Sequence, residues 1–160
     1  MDCCDTGCFK PQDLNFPDEE RLKKGPVAVV ECSQEIPCNP CSEFCPKGAI
    51  KVGRNINDCP VIDWNVCNGC GLCLGFCPGL ALFLADNSRE LPRITLPFEL
   101  LPPDEGKAVG LLDRGGNPIG RGRVIRCRRL KQHDRCILVT LELENADQLR
   151  LVRGFCEVTE

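Results

Sequence analysis

The strongest constraint on this chain is a cysteine pattern that occurs twice, 32 residues apart. Cys38, Cys41, Cys45, Pro46 and Ala49 recur as Cys70, Cys73, Cys77, Pro78 and Ala81, and Phe44 recurs as Phe76. Both copies end in C-x3-C-P, and the second extends to C-x2-C-x2-C-x3-C-P, from Cys67 to Pro78. A duplication of this kind predicts two pseudo-symmetric halves, each too small to bury a core alone. Whatever the cysteines hold must replace part of the missing core.

Fifteen cysteines in 160 residues admit two accounts, a disulfide scaffold or a metal protein. The opening MDCCDTGCFK lacks the apolar stretch of a secretory signal, so a cytoplasmic chain with reduced thiols is expected. No apolar run approaches the roughly 18 residues needed to span a bilayer. Regular spacing and a reducing compartment both favour metal. Structural zinc usually takes C-x2-C pairs about 15–20 residues apart. Here 25 residues separate Cys41 from Cys67, and a triple-plus-one arrangement suits a tetrahedral ion poorly. The C-x2-C-x2-C-x3-C-P spacing is instead one that cradles a cubane [4Fe-4S] cluster.

Each cubane needs four ligands, and a C-x2-C-x2-C loop supplies three from one side. In two-cluster proteins of this kind the fourth is the last cysteine of the other motif. That logic assigns Cys45, Cys67, Cys70 and Cys73 to one cluster. The other receives Cys38, Cys41 and Cys77 and lacks a ligand, because the repeat position of Cys67 is Glu35. Cys32, on the approach to the loop, is preferred for the vacancy; Cys59, between the repeats, is the alternative. A [3Fe-4S] cluster without a fourth thiolate is a third possibility. Glu35 is a poorer match to this iron.

The glycines of Asn68-Gly69-Cys70-Gly71 let the backbone turn tightly and aim N–H groups at sulfur, which raises a cluster's potential. The first loop has Asn39-Pro40 there, and Pro40 offers no N–H. The first cluster is therefore expected at the lower potential. Phe44, Phe76 and Trp64 are expected to shield the clusters or to serve as ordinary core. Cys3, Cys4 and Cys8 read as unused thiols or, alternatively, an extra metal site, and Cys127, Cys136 and Cys156 are read as small buried hydrophobes.

Along the chain, residues 1–25 read as an N-terminal extension with a short helix at Asp18–Lys24. Residues 26–85 read as a dicluster domain with strands at Val27–Val30, Ala49–Val52, Val61–Asp63 and Ala81–Leu84. Residues 86–105 carry four prolines and read as a linker. Residues 106–160 read as a small all-β domain, a barrel or sandwich of about five strands, with the polar turn Lys131–Arg135 between two of them. The expected class is α+β, a bacterial-type dicluster ferredoxin-like domain with a C-terminal β domain suited to subunit docking.

Charge divides the same way. Residues 1–105 carry 9 basic and 16 acidic side chains, and residues 106–160 carry 11 and 7. The acidic half argues against a nucleic-acid groove there, and the basic residues read as a solvated surface. One histidine, His133 in the polar turn, no tyrosine and no G-x-G-x-x-G leave little equipment for independent catalysis. A non-catalytic electron carrier inside a larger oxidoreductase is the expected function. The alternatives are a free, diffusible dicluster ferredoxin and a structural metal protein, zinc-bearing or nucleic-acid associated.

The segments GPVAVVECSQEIPCNPCSEFCPKGAI and VCNGCGLCLGFCPGLALF resemble the small ferredoxin-type subunit of multi-subunit flavin-dependent amino-acid and amine dehydrogenases. Hydroxyproline dehydrogenase-like and hydrogen cyanide synthase-like complexes are of this kind. The stretch VGLLDRGGNPIGRGRV…VRGF is similar to that group's tail. The resemblance implies two [4Fe-4S] clusters on this chain and a fourth first-cluster ligand at Cys32. It implies FAD or FMN on partners: a flavoprotein catalytic subunit, and a second subunit with a flavin or nucleotide site or a [2Fe-2S] cluster. The Cys3-Cys4-Cys8 head is not part of the pattern.

Overall fold

The computed structural model describes residues 9–33 and 35–158, so Cys3, Cys4 and Cys8 lie outside the described residues. The chain enters through helix α1 (Glu19–Lys23), which sequence chemistry delimits closely. Asp18 caps it, accepting the Arg21 backbone N–H at 2.7 Å, and Glu19 and Glu20 complement the positive end of the helix. Pro26 stands beyond its end, and β1 (Val27–Val30) follows at once.

The first repeat contributes α2 (Pro40–Glu43) and β2 (Ile50–Lys51); the second contributes β3 (Val61–Ile62), α3 (Leu72–Phe76) and β4 (Leu82–Asp86). β2 pairs with β3 in a two-stranded ribbon, and β1 pairs with β4, Val27 opposite Ala85 and Val30 opposite Leu82. After these come β5 (Arg93–Phe98), β6 (Ala108–Leu112), β7 (Pro118–Arg128), β8 (Ile137–Glu142), α4 (Gln148–Leu151) and β9 (Gly154–Glu157).

The C-terminal strands do not stand apart. One seven-stranded antiparallel sheet runs β1-β4-β5-β8-β7-β6-β9, so β1 and β4 share it with the strands after residue 90. The expected linker, 86–105, supplies β5 from the middle of this sheet, between β4 and β8. Its prolines hide the strand. Pro97 lies beyond Thr95, the last β5 residue with a β4 partner, so it breaks no rung on that side.

Alternate residues then sort to two faces. Val27, Val29, Phe83, Ala85, Ile94, Leu96, Val109, Leu111, Val124, Val139 and Leu141 form the larger core. Ala28, Leu82, Leu84 and Leu138 face the other way, onto Cys41, Cys73 and Leu74. Each fully buried Val, Leu or Ile contributes about 1.5–3 kcal/mol. The sheet curls until the end of β1 meets the start of β9. There Glu31, which is buried, accepts the Arg153 Nε at 2.7 Å and also pairs with Arg114. Arg153 is nearly buried as well, its guanidinium 3.7 Å from the Phe83 ring centre.

His133 departs from the surface position expected of it. The turn between β7 and β8 folds onto α3, leaving the ring 4% exposed, with Nε2 3.0 Å from the Leu72 carbonyl oxygen and the ring edge-on to Phe76. Gly75 makes the room: a methyl group on it would overlap the His133 ring.

Candidate metal centres

The eight expected cysteines gather into two cavities. Cys32, Cys38, Cys41 and Cys77 line the first, of about 210 Å3; Cys45, Cys67, Cys70 and Cys73 line the second, of about 20 Å3. Each cavity takes three cysteines from one loop and one from the other repeat. The two short helices produce the crossing. Cys41 lies on α2 and Cys45 just beyond it; Cys73 lies on α3 and Cys77 caps its end. Four residues of helix rise about 6 Å, so each helix delivers a sulfur to either centre.

The two C-P turns are built alike. The Gly48 N–H donates to the Cys45 carbonyl at 3.0 Å, and the Leu80 N–H to the Cys77 carbonyl at 3.1 Å. The Ala49 and Ala81 N–H groups then donate to Sγ of Cys45 and Cys77, both at 3.3 Å. Gly48 (φ 62°) and Leu80 (φ 49°), 32 residues apart, both adopt the left-handed conformation this turn requires. A third such bond comes from the sheet, the Ala28 N–H reaching the Cys67 Sγ at 3.4 Å. Gly69 (φ 65°) passes so close to the Pro26 carbonyl that no side chain fits there.

Electrostatically the sulfurs resist being together. Burial first, then the neighbouring Cys77, Cys38 and Cys32, push the Cys41 thiol up to about 11. Cys38 is raised by burial and by Cys77 and Cys32. Burial, with Cys67, Cys70, Cys45 and Cys41, drives Cys73 far upward. Cys45 goes the other way: burial opposes its ionisation, but the N–H groups of Ile50, Lys47, Ala49 and Gly48 outweigh it. Four converging thiolates are stable only around positive charge, and soft iron with bridging sulfide matches an all-thiolate donor set. Among the described residues no three His, Cys, Asp or Glu side chains are placed to hold one metal ion; the sulfurs stand around spaces instead.

Other expected residues fall as follows. Cys32 is in the lining of the first cavity, whereas Asp58 and Pro60 line it on either side of Cys59, which does not. Glu35 is exposed. Trp64 packs against both cores and donates its indole N–H to the Ala28 carbonyl at 3.1 Å. Cys136 is buried and Cys127 half-buried, but Cys156 is exposed, because β9 is the sheet's edge strand.

Two residues went unforeseen. Arg21 on α1 donates from Nη2 to the Cys67 carbonyl at 2.7 Å and from Nε to the Trp64 carbonyl at 2.6 Å. Arg128 at the end of β7 donates from Nη2 to the Cys70 carbonyl at 3.0 Å. Both lie outside the repeats, where cysteine spacing carries no signal.

Two four-cysteine pockets on crossed loops, together with the matches that follow, support a ferredoxin-like iron–sulfur chain with an electron-transfer role. The 4Fe-4S binding domain family matches residues 60–83. The chain is 42% identical to the pyruvate synthase subunit PorD of Methanocaldococcus jannaschii over 50 residues, 31% of this chain and 56% of that one. It is 28% identical to an uncharacterized ferredoxin of the same organism over 88 residues, 53% and 54% of the two chains. The chain thus spans about half the length of the curated relatives it matches. No solved structure matches. No helix among the described residues is long and apolar enough to cross a membrane.

Proposed function

We propose that this chain is the electron-transfer subunit of a flavin-dependent amino-acid or amine dehydrogenase complex, carrying two [4Fe-4S] clusters. Cys32, Cys38, Cys41 and Cys77 hold the first, and Cys45, Cys67, Cys70 and Cys73 the second. The observation that carries the reading is the sorting of these eight cysteines into two crossed sets of four. A cubane in such a site supplies one-electron chemistry and no acid–base chemistry. The chain's part is to ligate, to exclude water and to set potentials.

The resemblance of residues 25–84 supports the flavin-dependent setting, and the likeness to a subunit of pyruvate synthase supports work within a multi-subunit oxidoreductase. The single histidine is tied to the Leu72 carbonyl and faces neither cavity, which agrees with a non-catalytic role. FAD or FMN belongs to the partners. Purification under native conditions tests the reading. Co-migration with flavin-containing chains is expected; a chain that migrates alone, still carrying iron, would make it a diffusible ferredoxin instead.

A further inference from the structure

The two cavities differ sharply in the charge around them. Carboxylates of Glu31 and Asp58 line the first, along with the Arg114 guanidinium, and Glu31 pairs with both Arg114 and Arg153. Lys47 lines the second, and among the described residues no carboxylate does. Two further guanidinium groups grip the backbone of the second cavity's own ligands, Arg21 at the Cys67 carbonyl and Arg128 at the Cys70 carbonyl. Neither Arg21 nor Arg128 forms a salt bridge among the described residues. Arg21 instead spends its donors on three carbonyls, those of Trp64, Gly25 and Cys67. A part-buried, unneutralised cation is weakly screened and favours whichever state of its neighbour is more negative.

We propose that Arg21 and Arg128 are positioning residues that fix the second cysteine loop and hold the potential of its centre above that of the first. This rests on the two-cluster reading above and deepens it. An electron placed on the chain therefore resides at the Cys45, Cys67, Cys70 and Cys73 centre. Charge is imported from outside the repeat, from α1 and from β7, so the two halves of a near-symmetric duplication become unequal. Arg128 also gives the C-terminal strands a role in tuning, because β7 brings the guanidinium to the loop.

Anaerobic potentiometric titration of the full chain, followed by EPR, tests this. The second centre is assigned with Cys32→Ser, which leaves it the intact cubane. Arg21→Gln and Arg128→Gln should each lower its midpoint, and the double variant further, while the first centre's midpoint holds. Arg128→Lys, which keeps the charge but loses the guanidinium geometry, should retain most of the wild-type value. A purely structural role would loosen the loop in Arg128→Lys as well and would not separate the two substitutions. Full iron in every variant with unmoved midpoints would overturn the inference alone. Wild-type chains with iron for fewer than two cubanes would remove the two-cluster reading, and the inference with it.

Discussion

Phe44 and Phe76, equivalent positions of the two repeats, stack face to face with ring centres 3.8 Å apart and planes 11° from parallel. The pair joins α2 to α3, the two helices that carry sulfurs to both centres. Phe44 is half exposed, whereas Phe76 also meets the edge of His133. An aromatic pair contributes about 0.5–1.5 kcal/mol beyond its area. Phe44→Leu should therefore cost about 1 kcal/mol, and Phe76→Leu more, in anaerobic denaturant titrations of the cluster-loaded protein.

Gly48 and Leu80 hold the same turn with unequal ease. A Cβ at Gly48 meets nothing within 4 Å, so the cost of replacing it lies in the backbone conformation alone. A residue other than glycine in that conformation costs about 1–2 kcal/mol. Gly48→Ala should destabilise by about that much, and Leu80→Gly should be neutral or stabilising. The same titrations read both.

Glu31 and Arg153 join the two ends of the curled sheet through a contact that is almost wholly buried, the side chains being 3% and 7% exposed. Removing one partner of a buried pair leaves an uncompensated charge and costs about 3–5 kcal/mol. Glu31→Gln, which leaves the nearly buried Arg153 guanidinium without its carboxylate, is expected to fall in this range. Because Glu31 precedes Cys32, the same variant should lose iron from the first centre faster than from the second on exposure to a chelator.

The crossing of ligands makes a prediction of its own. Cys45→Ser and Cys77→Ser should each damage the centre that the other loop builds, the second centre for Cys45 and the first for Cys77. Iron analysis with EPR should show one altered centre in each variant. Cys32→Ser should likewise lose or convert one cubane, and Cys59→Ser should leave both. Retention of a full iron complement in Cys45→Ser and Cys77→Ser would contradict the scheme.

Cysteine spacing anticipated which cysteines line each of the two cavities, because a C-P turn leaves little freedom in where its sulfurs go. β1 and β3 were legible for a related reason: short runs of Val and Ile lead directly into the cysteine loops. The continuous sheet was not. Pro92, Pro97, Pro102 and Pro103 make residues 86–105 read as a linker, and only the pairing of Ile94 and Leu96 within the core reveals a strand. His133 misled because its neighbours Lys131, Asp134 and Arg135 are polar; its burial depends on Gly75, 58 residues away. Arg21 and Arg128 reach the second loop across 46 and 58 residues, a distance at which local pattern says nothing.

Quantifying iron, acid-labile sulfide and zinc in anaerobically isolated chain tests the central claim most directly. Two cubanes require about eight iron and eight sulfide per chain, a brown colour and, on reduction, the EPR of two interacting centres. Colourless, iron-free protein with zinc bound, or with its cysteines joined as disulfides, would contradict it.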